Sequence, residues 1–326
     1  MDRTSVGTDA ALPLSPRAHS DLLNPVSSTD THTSFTRDSR NILKMTEKSS
    51  NNPEYLAQPP APCCWAGTLH EGNPRGDVED ILEVPTYVVR PADVKRSLPP
   101  NGHVILYFPD VWGLSVNAKC IMDGFASSGY TALGMDFFRG DPISKYRNAK
   151  TDPLPEGFDM AAWRSKHWNF ATENVPKWTA AVKERFGAEL KAETGKETKF
   201  ACVGYCFGAP FVCNLLAGAG GDGEPVVSAG AFAHPTALKE EHFTSIKKPL
   251  LLSCAENDQA FPTEARRKAI DFLQREKKIY HLQVFQGVSH GFAVKGDPSD
   301  PYQRWCKEQS LRAMVDWFDM WLVQSD

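Results

Sequence analysis

The stretch FACVGYCFGAPFVCNLLA, residues 200–217, decides the fold prediction. Residues 200–203 form an apolar run that favours a buried strand, and residues 207–217 carry apolar side chains at the spacing of a helix. Between them stands the pentapeptide GYCFG, residues 204–208. In a nucleophile elbow the central residue occupies a strained turn between a strand and a helix, and flanking glycines remove side chains that would clash. The pentapeptide therefore predicts an elbow centred on Cys206.

Cys206 is predicted to be a reactive thiolate. The helix that follows the elbow directs its macrodipole and its free amide groups at the sulfur, which stabilises the negative charge. The backbone N–H of Phe207 is predicted to be one donor of an oxyanion hole. Taken alone, the pentapeptide fits a buried cysteine in a glycine-containing turn equally well. The rest of the chain decides between the two interpretations.

Short apolar runs alternate with longer amphipathic stretches on both sides of the elbow. Further strands are predicted at residues 84–89, 104–108, 131–135, 229–232, 250–253 and 281–285. Helices are predicted at residues 117–128, 171–186, 263–277 and 302–323. This alternation predicts an α/β fold with a mainly parallel central sheet and helices on both faces. Residues 137–170 show no sustained period, and the sequence leaves open a substrate-binding loop or lid and a short helix of poor contrast.

Composition limits the possible partners. The chain has 326 residues, 41% of them hydrophobic, and a net charge of −4 with its charges scattered. It therefore has no basic surface for nucleic acid, and it has no apolar run long enough for a membrane span. Eight cysteines without repeated Cys-x-x-Cys spacing favour reduced thiols, a cytoplasmic location and no metal site. A small-molecule partner is predicted, and the oligomeric state is not.

The first 60 residues differ from the rest of the chain. Ser, Thr, Asn and Pro supply 26 of these 60 positions, and such a segment cannot bury enough apolar surface to offset its ordering entropy. We therefore predict a disordered extension at residues 1–60 and one domain at residues 61–326. Met45 as an alternative start is left open.

An acid and then a histidine follow the elbow along the chain, which is the order of nucleophile, acid and base in folds that carry a nucleophile elbow. Asp258 stands in a polar loop after the strand predicted at 250–253, and His290 stands in a glycine-flanked loop after the strand predicted at 281–285. Asp258 is predicted to orient the imidazole, and His290 to act as general base. Glu256 is the alternative acid, and a helix N-cap is the alternative role for either carboxylate.

The loop after the strand at 104–108 is predicted to supply the second oxyanion donor, the N–H of Val111. Asp110 is predicted to hydrogen-bond the resting thiol or to steer the substrate, with a turn-forming aspartate after proline as the alternative. Trp112 is a candidate for lining an apolar pocket, with core packing as the alternative. His234 is compatible with the pocket mouth and equally with a turn before Pro235.

These residues together resemble the dienelactone hydrolases, also called carboxymethylenebutenolidases, which are α/β-hydrolases with a cysteine nucleophile. The likeness covers residues 63–326, and the Cys63-Cys64 and His70-Glu71-Gly72 motifs resemble the fungal branch. The resemblance implies a triad of Cys206, Asp258 and His290 and an oxyanion hole of Val111 and Phe207. It also places Asp110 where the bacterial enzymes carry a glutamate that contacts the resting cysteine.

One departure concerns the substrate. Bacterial members bind the substrate carboxylate partly through an arginine four residues after the histidine, and this chain has Val294 there, followed by Lys295. Four cations are candidates for an anionic substrate, each with a solvated surface charge as the alternative: Arg139, Arg164, Lys166 and Lys295.

The sequence thus predicts an enzyme that cleaves a lactone or ester of the dienelactone type through a thioester on Cys206, with no metal or organic cofactor. Two alternatives are left open. One is a thioesterase or esterase of secondary metabolism, and the other is a noncatalytic redox sensor in which Cys206 is oxidised.

Overall fold

The apolar runs of the sequence become strands of a single sheet. A computed structural model describes residues 52–61, 64, 72–147, 153–218 and 223–324. The strands are β1 (Asp77–Ile81), β2 (Val84–Val89), β3 (Val104–Phe108), β4 (Thr131–Met135), β5 (Phe200–Tyr205), β6 (Ala229–Ala233), β7 (Leu250–Asn257) and β8 (Tyr280–Ser289). The helices are α1 (Val116–Ser127), α2 (Met160–Thr194), α3 (Ala209–Ala217), α4 (Glu241–Thr244), α5 (Thr263–Arg275), α6 (Phe292–Lys295) and α7 (Pro301–Phe318). A π-helical turn (Asp319–Val323) extends α7.

The eight strands lie in the order β1-β2-β4-β3-β5-β6-β7-β8. The β1–β2 and β2–β4 pairs are antiparallel, and all other neighbours are parallel. The predicted mainly parallel α/β sheet is therefore confirmed.

Helices cover both faces of the sheet, as predicted. Along β3, Val104, Leu106 and Phe108 pack in one core with α2, α3 and α5, whereas Ile105 and Tyr107 pack in a second core with α1 and α7. Strands buried on both faces read as continuous apolar runs, which is why the central strands were recognisable in the sequence.

The parallel strands position the functional loops. Because parallel strands end at the same edge of a sheet, the loops after β3, β5, β6, β7 and β8 meet there. Cys206, Asp258 and His290 each come directly after the last residue of a strand.

The structure differs from the prediction in two elements. The antiparallel edge strand β1 was not predicted, because its sequence DVEDI is mostly polar and exposed. Helix α2 begins at Met160, inside the segment 137–170 for which the sequence left open a loop and a short helix, and runs for 35 residues. The Asp159 side chain caps it by accepting a hydrogen bond from Ala162 N. Earlier in that segment, a 3-10 turn spans Ile143–Lys145.

Residues 52–60, which the sequence assigned to the extension, make contacts with the domain. Ala57 forms an antiparallel bridge with Leu238, and Gln58 N donates to Ala260 O. Their order comes from these tertiary hydrogen bonds, which composition does not reveal. Residues 1–51, including Met45, lie outside the described residues, as does Cys63. Among the described helices, none has the length and apolar character needed to cross a membrane.

Candidate active site

The predicted elbow is a sharp turn between β5 and α3. Cys206 has φ +51°, in the left-handed region that non-glycine residues rarely adopt. A Cβ on Gly204 would lie 2.5 Å from Gly208 O, and one on Gly208 would lie 2.2 Å from Phe108 O. Both approaches are too close for any side chain, so the turn requires the two glycines. A strained backbone conformation at a single residue, maintained by the packing around it, is typical of functional positions.

Asp258 and His290 form a buried pair at the same edge. His290 Nδ1 lies 2.9 Å from Asp258 Oδ1 and 3.0 Å from Oδ2. The carboxylate also accepts hydrogen bonds from the amides of Ala260 and Phe261. These amides fix its orientation, and the carboxylate fixes that of the imidazole.

Glu256, the alternative acid, does not reach this histidine. Its Oε2 accepts a hydrogen bond at 3.1 Å from the N–H of Gly287 in β8. The pairing of β7 with β8 is irregular between Ala255 and Asn257, where Glu256 lies. The structure therefore brings Asp258, and not Glu256, to the imidazole.

Cys206, His290 and a third residue, Cys64, meet at the elbow. The sulfur atoms of both cysteines and a ring nitrogen of His290 all lie within 4.8 Å of one another. Since Nδ1 of His290 faces Asp258, Nε2 is the nitrogen that faces the sulfurs. Thr236 Oγ1 lies 3.9 Å from Cys206 Sγ. Sequence reasoning missed both Cys64 and Thr236, because neither stands in a motif that marks it as close to the elbow.

The surroundings favour a thiolate and an imidazolium. Burial by itself raises the pKa of Cys206, but the hydrogen bond from Cys64 and the charge of His290 outweigh it and hold the pKa well below the usual range. Burial likewise lowers the pKa of His290, but the charges of Asp258 and Cys206 raise it well above its ordinary value. The two groups stabilise each other's charged forms.

Alkylation of Cys206 by iodoacetamide is expected to stay fast at pH values below the usual range of a cysteine thiol. A lowered pKa keeps the thiolate populated until the pH falls through that lower value, and the thiolate is the reactive form. Cys120 is an internal control, because burial and then Asp123 raise its pKa. Peptide mass spectrometry at a series of pH values gives both rates. Loss of Cys206 reactivity over the same pH range as Cys120 would contradict the ion pair.

His234 lies against the Cys206–His290 pair, whereas the sequence suggested only the pocket mouth or a turn before Pro235. It is fully buried, its ring centroid is 5.0 Å from that of His290, and the pKa of its ring is lowered by burial. Neither ring nitrogen makes a hydrogen bond of ordinary geometry to the described residues. The ring is still close enough to Cys206 to lower the pKa of the thiol. A neutral imidazole thus faces the sulfur.

Asp110 and Lys295 occupy places other than those predicted. Both side chains are buried, and Lys295 Nζ lies 3.1 Å from Asp110 Oδ2. Asp110 Oδ1 accepts a hydrogen bond from Trp112 N, and Lys295 Nζ donates to the carbonyl of Cys64. The Asp110 carboxylate is thus paired with Lys295. The residue that hydrogen-bonds the Cys206 thiol is Cys64. The same pair removes Lys295 from the set of cations that face a substrate.

The two predicted oxyanion residues lie on adjacent loops. Val111 follows β3, Phe207 follows Cys206, and the close approach of Gly208 to Phe108 brings these loops together. The ring of Phe207 packs on Phe137, Phe138 and Trp168. Trp112 is buried beneath Lys295, whose Nζ lies 5.2 Å from the ring centroid, so core packing accounts for this residue.

Two of the remaining candidate cations are exposed and contact other side chains. Arg139 is exposed and stacks on Phe170, with 3.9 Å between the guanidinium carbon and the ring centroid. Lys166 pairs with Asp141 at 2.7 Å on the surface.

Arg164 is the candidate cation that lines a cavity. The cavity has a volume of about 170 Å³, and Trp168 and Ala237 lie in its wall. It adjoins the elbow, because Trp168 packs on Phe207 and Ala237 follows Thr236. Within the described part of the chain, no carboxylate pairs with Arg164, whose contact is a 3.4 Å hydrogen bond to Pro60 O. A second, open cleft of about 510 Å³ is lined by Asp258, His290 and the loop residues around them.

Comparisons with known proteins show which family the chain resembles. Residues 84–322 match the family model described as the dienelactone hydrolase family. The chain is 38% identical to Dienlactone hydrolase 1 of Gibberella moniliformis, across 84% of this chain and 98% of that protein. It is 35% identical to Dienlactone hydrolase 2 of the same fungus, across 82% and 97%. The crystal structure of a putative dienelactone hydrolase from Klebsiella pneumoniae covers 72% of this chain and 92% of its own, at 17% identity and a TM-score of 0.51, which supports the fold.

Proposed function

The chain belongs to the dienelactone hydrolase family, and from this we propose that it hydrolyses a lactone or ester through a thioester on Cys206. Membership of the family makes the protein a carboxylic ester hydrolase with a small-molecule substrate. The observation that carries the finer proposal is the buried set of Cys206, His290 and Asp258, aligned at the carboxyl ends of β5, β8 and β7. A cytoplasmic location remains a prediction.

The first half-reaction forms the thioester. The Cys206 thiolate attacks the carbonyl carbon, and the negative charge moves to the carbonyl oxygen. The amides of Val111 and Phe207, on adjacent loops, are the proposed donors to that oxygen. Collapse of the intermediate expels the leaving oxygen, which takes the proton of His290 Nε2 and leaves the imidazole neutral.

The second half-reaction releases the acid. The now neutral His290 accepts a proton from water, and the resulting hydroxide attacks the thioester carbonyl. Asp258 holds Nδ1 protonated and stabilises the imidazolium that forms again. The thiolate leaves and returns to its pair with His290.

A preformed thiolate–imidazolium pair favours particular substrates. The thiolate needs no base at the moment of attack, and it is itself a good leaving group. Substrates whose leaving oxygen is already stabilised, such as the enolate of an enol-lactone, therefore react more readily than simple alkyl esters. The same triad favours turnover over the alternative of a noncatalytic redox sensor, since redox sensing does not need Asp258.

Arg164 supports an anionic substrate. Its cavity combines the guanidinium with aromatic walls, and it adjoins the elbow through Trp168 and Ala237. Guanidinium groups bind carboxylates through paired hydrogen bonds. We propose that Arg164 binds a substrate carboxylate, in place of the arginine that Val294 replaces.

Arg164→Gln is expected to raise KM for a carboxylate-bearing enol-lactone by about 10- to 100-fold, with little change in kcat. Loss of one hydrogen bond to a charged group costs about 1.5–3 kcal/mol, and uniform binding energy appears in KM. The measurement is steady-state kinetics on this lactone and on a neutral ester of similar size.

Lys166→Gln is the matched control, because Lys166 lies on the same helix and pairs with Asp141. We expect it to behave as the unsubstituted protein. An equal rise in KM for the neutral ester, or none for the acidic lactone, would contradict the assignment of Arg164.

A further inference from the structure

Cys64 is held at the elbow by a buried anchor. Its carbonyl accepts a hydrogen bond from Lys295 Nζ, and Lys295 in turn pairs with Asp110 at 3.1 Å. Its sulfur accepts a hydrogen bond from Ala61 N at 3.4 Å. These contacts place a second thiol beside Cys206, inside the protein, and the hydrolytic mechanism does not call for one.

The donor atoms at this point suit a thiophilic cation. Two cysteine sulfurs and one imidazole nitrogen are the ligand types of zinc sites with one open position. In a tetrahedral site with Zn–S near 2.3 Å and Zn–N near 2.0 Å, neighbouring donor atoms lie roughly 3.5–3.8 Å apart. The donors of Cys64, Cys206 and His290 lie within 4.8 Å of one another, so closure around an ion requires movements of about 1 Å.

The surroundings of the ligands are also those of a metal site. Metal-binding histidines donate their second N–H to a carboxylate, and His290 Nδ1 already faces Asp258. His290 Nε2, nine-tenths or more buried, makes no hydrogen bond of ordinary geometry to the described residues. Metal binding displaces the proton of the Cys64 thiol and the proton on His290 Nε2 into solvent. The two resulting thiolates balance the charge of a divalent ion, which suits a buried position. Both ring nitrogens of the buried His234 also lack such a hydrogen bond to the described residues, and its ring centroid lies 5.0 Å from that of His290.

We propose that Cys64, Cys206 and His290 form a reversible binding site for Zn²⁺ or a similar thiophilic divalent cation. The bound ion occupies the sulfur that attacks the substrate and the nitrogen that activates water. Binding therefore inhibits hydrolysis, and a chelator restores it. The inhibition rests on the proposed function, whereas the binding does not.

The binding test uses the full chain with Zn²⁺ or Co²⁺ alone. We expect one Zn²⁺ per chain by equilibrium dialysis, and with Co²⁺ the near-ultraviolet charge-transfer band of thiolate ligation. Loss of an outer-shell partner weakens metal binding by about 10- to 100-fold. Because Cys64 is a proposed direct ligand, Cys64→Ser is expected to weaken Zn²⁺ binding by more than that. Cys120→Ser is the matched control, since this partly buried thiol lies in α1 outside the cluster. Unchanged affinity in Cys64→Ser, or Co²⁺ binding without the thiolate band, would overturn the proposal.

A second readout needs no variant. Zn²⁺ is expected to protect Cys64 and Cys206, but not Cys120, from alkylation, and peptide mass spectrometry measures all three. Protection of neither cluster cysteine at saturating Zn²⁺ rejects the site, whether or not Cys64→Ser folds.

Activity separates the two proposals. Inhibition by Zn²⁺ is expressed relative to each protein's own rate without metal, and Cys64→Ser is expected to lose most of its sensitivity. If the protein binds one Zn²⁺ through its thiolates but hydrolyses no ester, the metal site stands and the proposed function fails. If it hydrolyses esters and binds no Zn²⁺, the proposed function stands and the metal site fails.

Discussion

Cys206→Ala is expected to lower kcat for enol-lactone hydrolysis by about 10⁵- to 10⁶-fold, a loss of the size seen when the nucleophile of a catalytic triad is removed. The substitution deletes the atom that forms the thioester, and it also deletes one half of the ion pair with His290. Only the oxyanion donors and substrate binding then contribute to the rate. Steady-state kinetics on the purified variant measures the loss.

Cys120→Ala is the control for this experiment. It makes the same change at a partly buried thiol of α1, and we expect its kcat to match that of the unsubstituted protein. Thermal unfolding of both variants checks that the domain is intact. A Cys206→Ala variant that keeps about 1% or more of the original kcat would exclude covalent catalysis through this sulfur.

Asp258→Asn is expected to lower kcat by about 10⁴-fold, the order of loss seen when the acid of a triad becomes an amide. The amide does not stabilise the imidazolium, and it favours the wrong tautomer of His290. Because the Asp258 charge is a main cause of the raised pKa of His290, the variant also weakens the thiolate–imidazolium pair. Its alkylation at Cys206 should therefore require a higher pH.

Glu256→Gln is the matched control, two residues away and of the same chemistry. Its carboxylate bonds to Gly287 N and does not reach His290, so we expect kcat to change by less than about threefold, as for most substitutions away from a site. A larger loss in Glu256→Gln than in Asp258→Asn would reverse the assignment of the acid.

The features that are local in sequence could be predicted. The elbow depends on Gly204 and Gly208, whose closeness to neighbouring backbone is a property of one turn. Asp258 and His290 could be selected because each follows an apolar run, and parallel strands bring such positions together. The central sheet was readable for the same reason, since its strands are buried on both faces.

The features that depend on distant contacts could not be predicted. Cys64 reaches the elbow because Lys295, 231 residues later, binds its carbonyl. Lys295 itself looked like a surface cation, since lysines are rarely buried without a partner, and its partner Asp110 lies in another loop. The fold of residues 52–60 is a third case, because the contacts that hold them, such as Ala57 with Leu238 and Gln58 with Ala260, are distant in sequence.

The buried ion pair of Asp110 and Lys295 determines which groups surround the resting sulfur of Cys206. Asp110 was predicted to hydrogen-bond the resting thiol or to steer the substrate, but its carboxylate pairs with Lys295. The thiol is contacted instead by Cys64 and faced by the neutral ring of His234. The neighbours of the resting sulfur are thus uncharged groups, apart from His290.

The central claim, that Cys206 carries the acyl group, is tested most directly by intact-protein mass spectrometry after brief mixing with an enol-lactone or activated ester. The unsubstituted protein is expected to show one acyl adduct that clears rapidly, and His290→Ala is expected to retain any adduct it forms. Cys206→Ala is expected to show none. An adduct of the same mass on Cys206→Ala, or turnover of the ester with no adduct on any of the three proteins under rapid quenching, would contradict a thioester on Cys206.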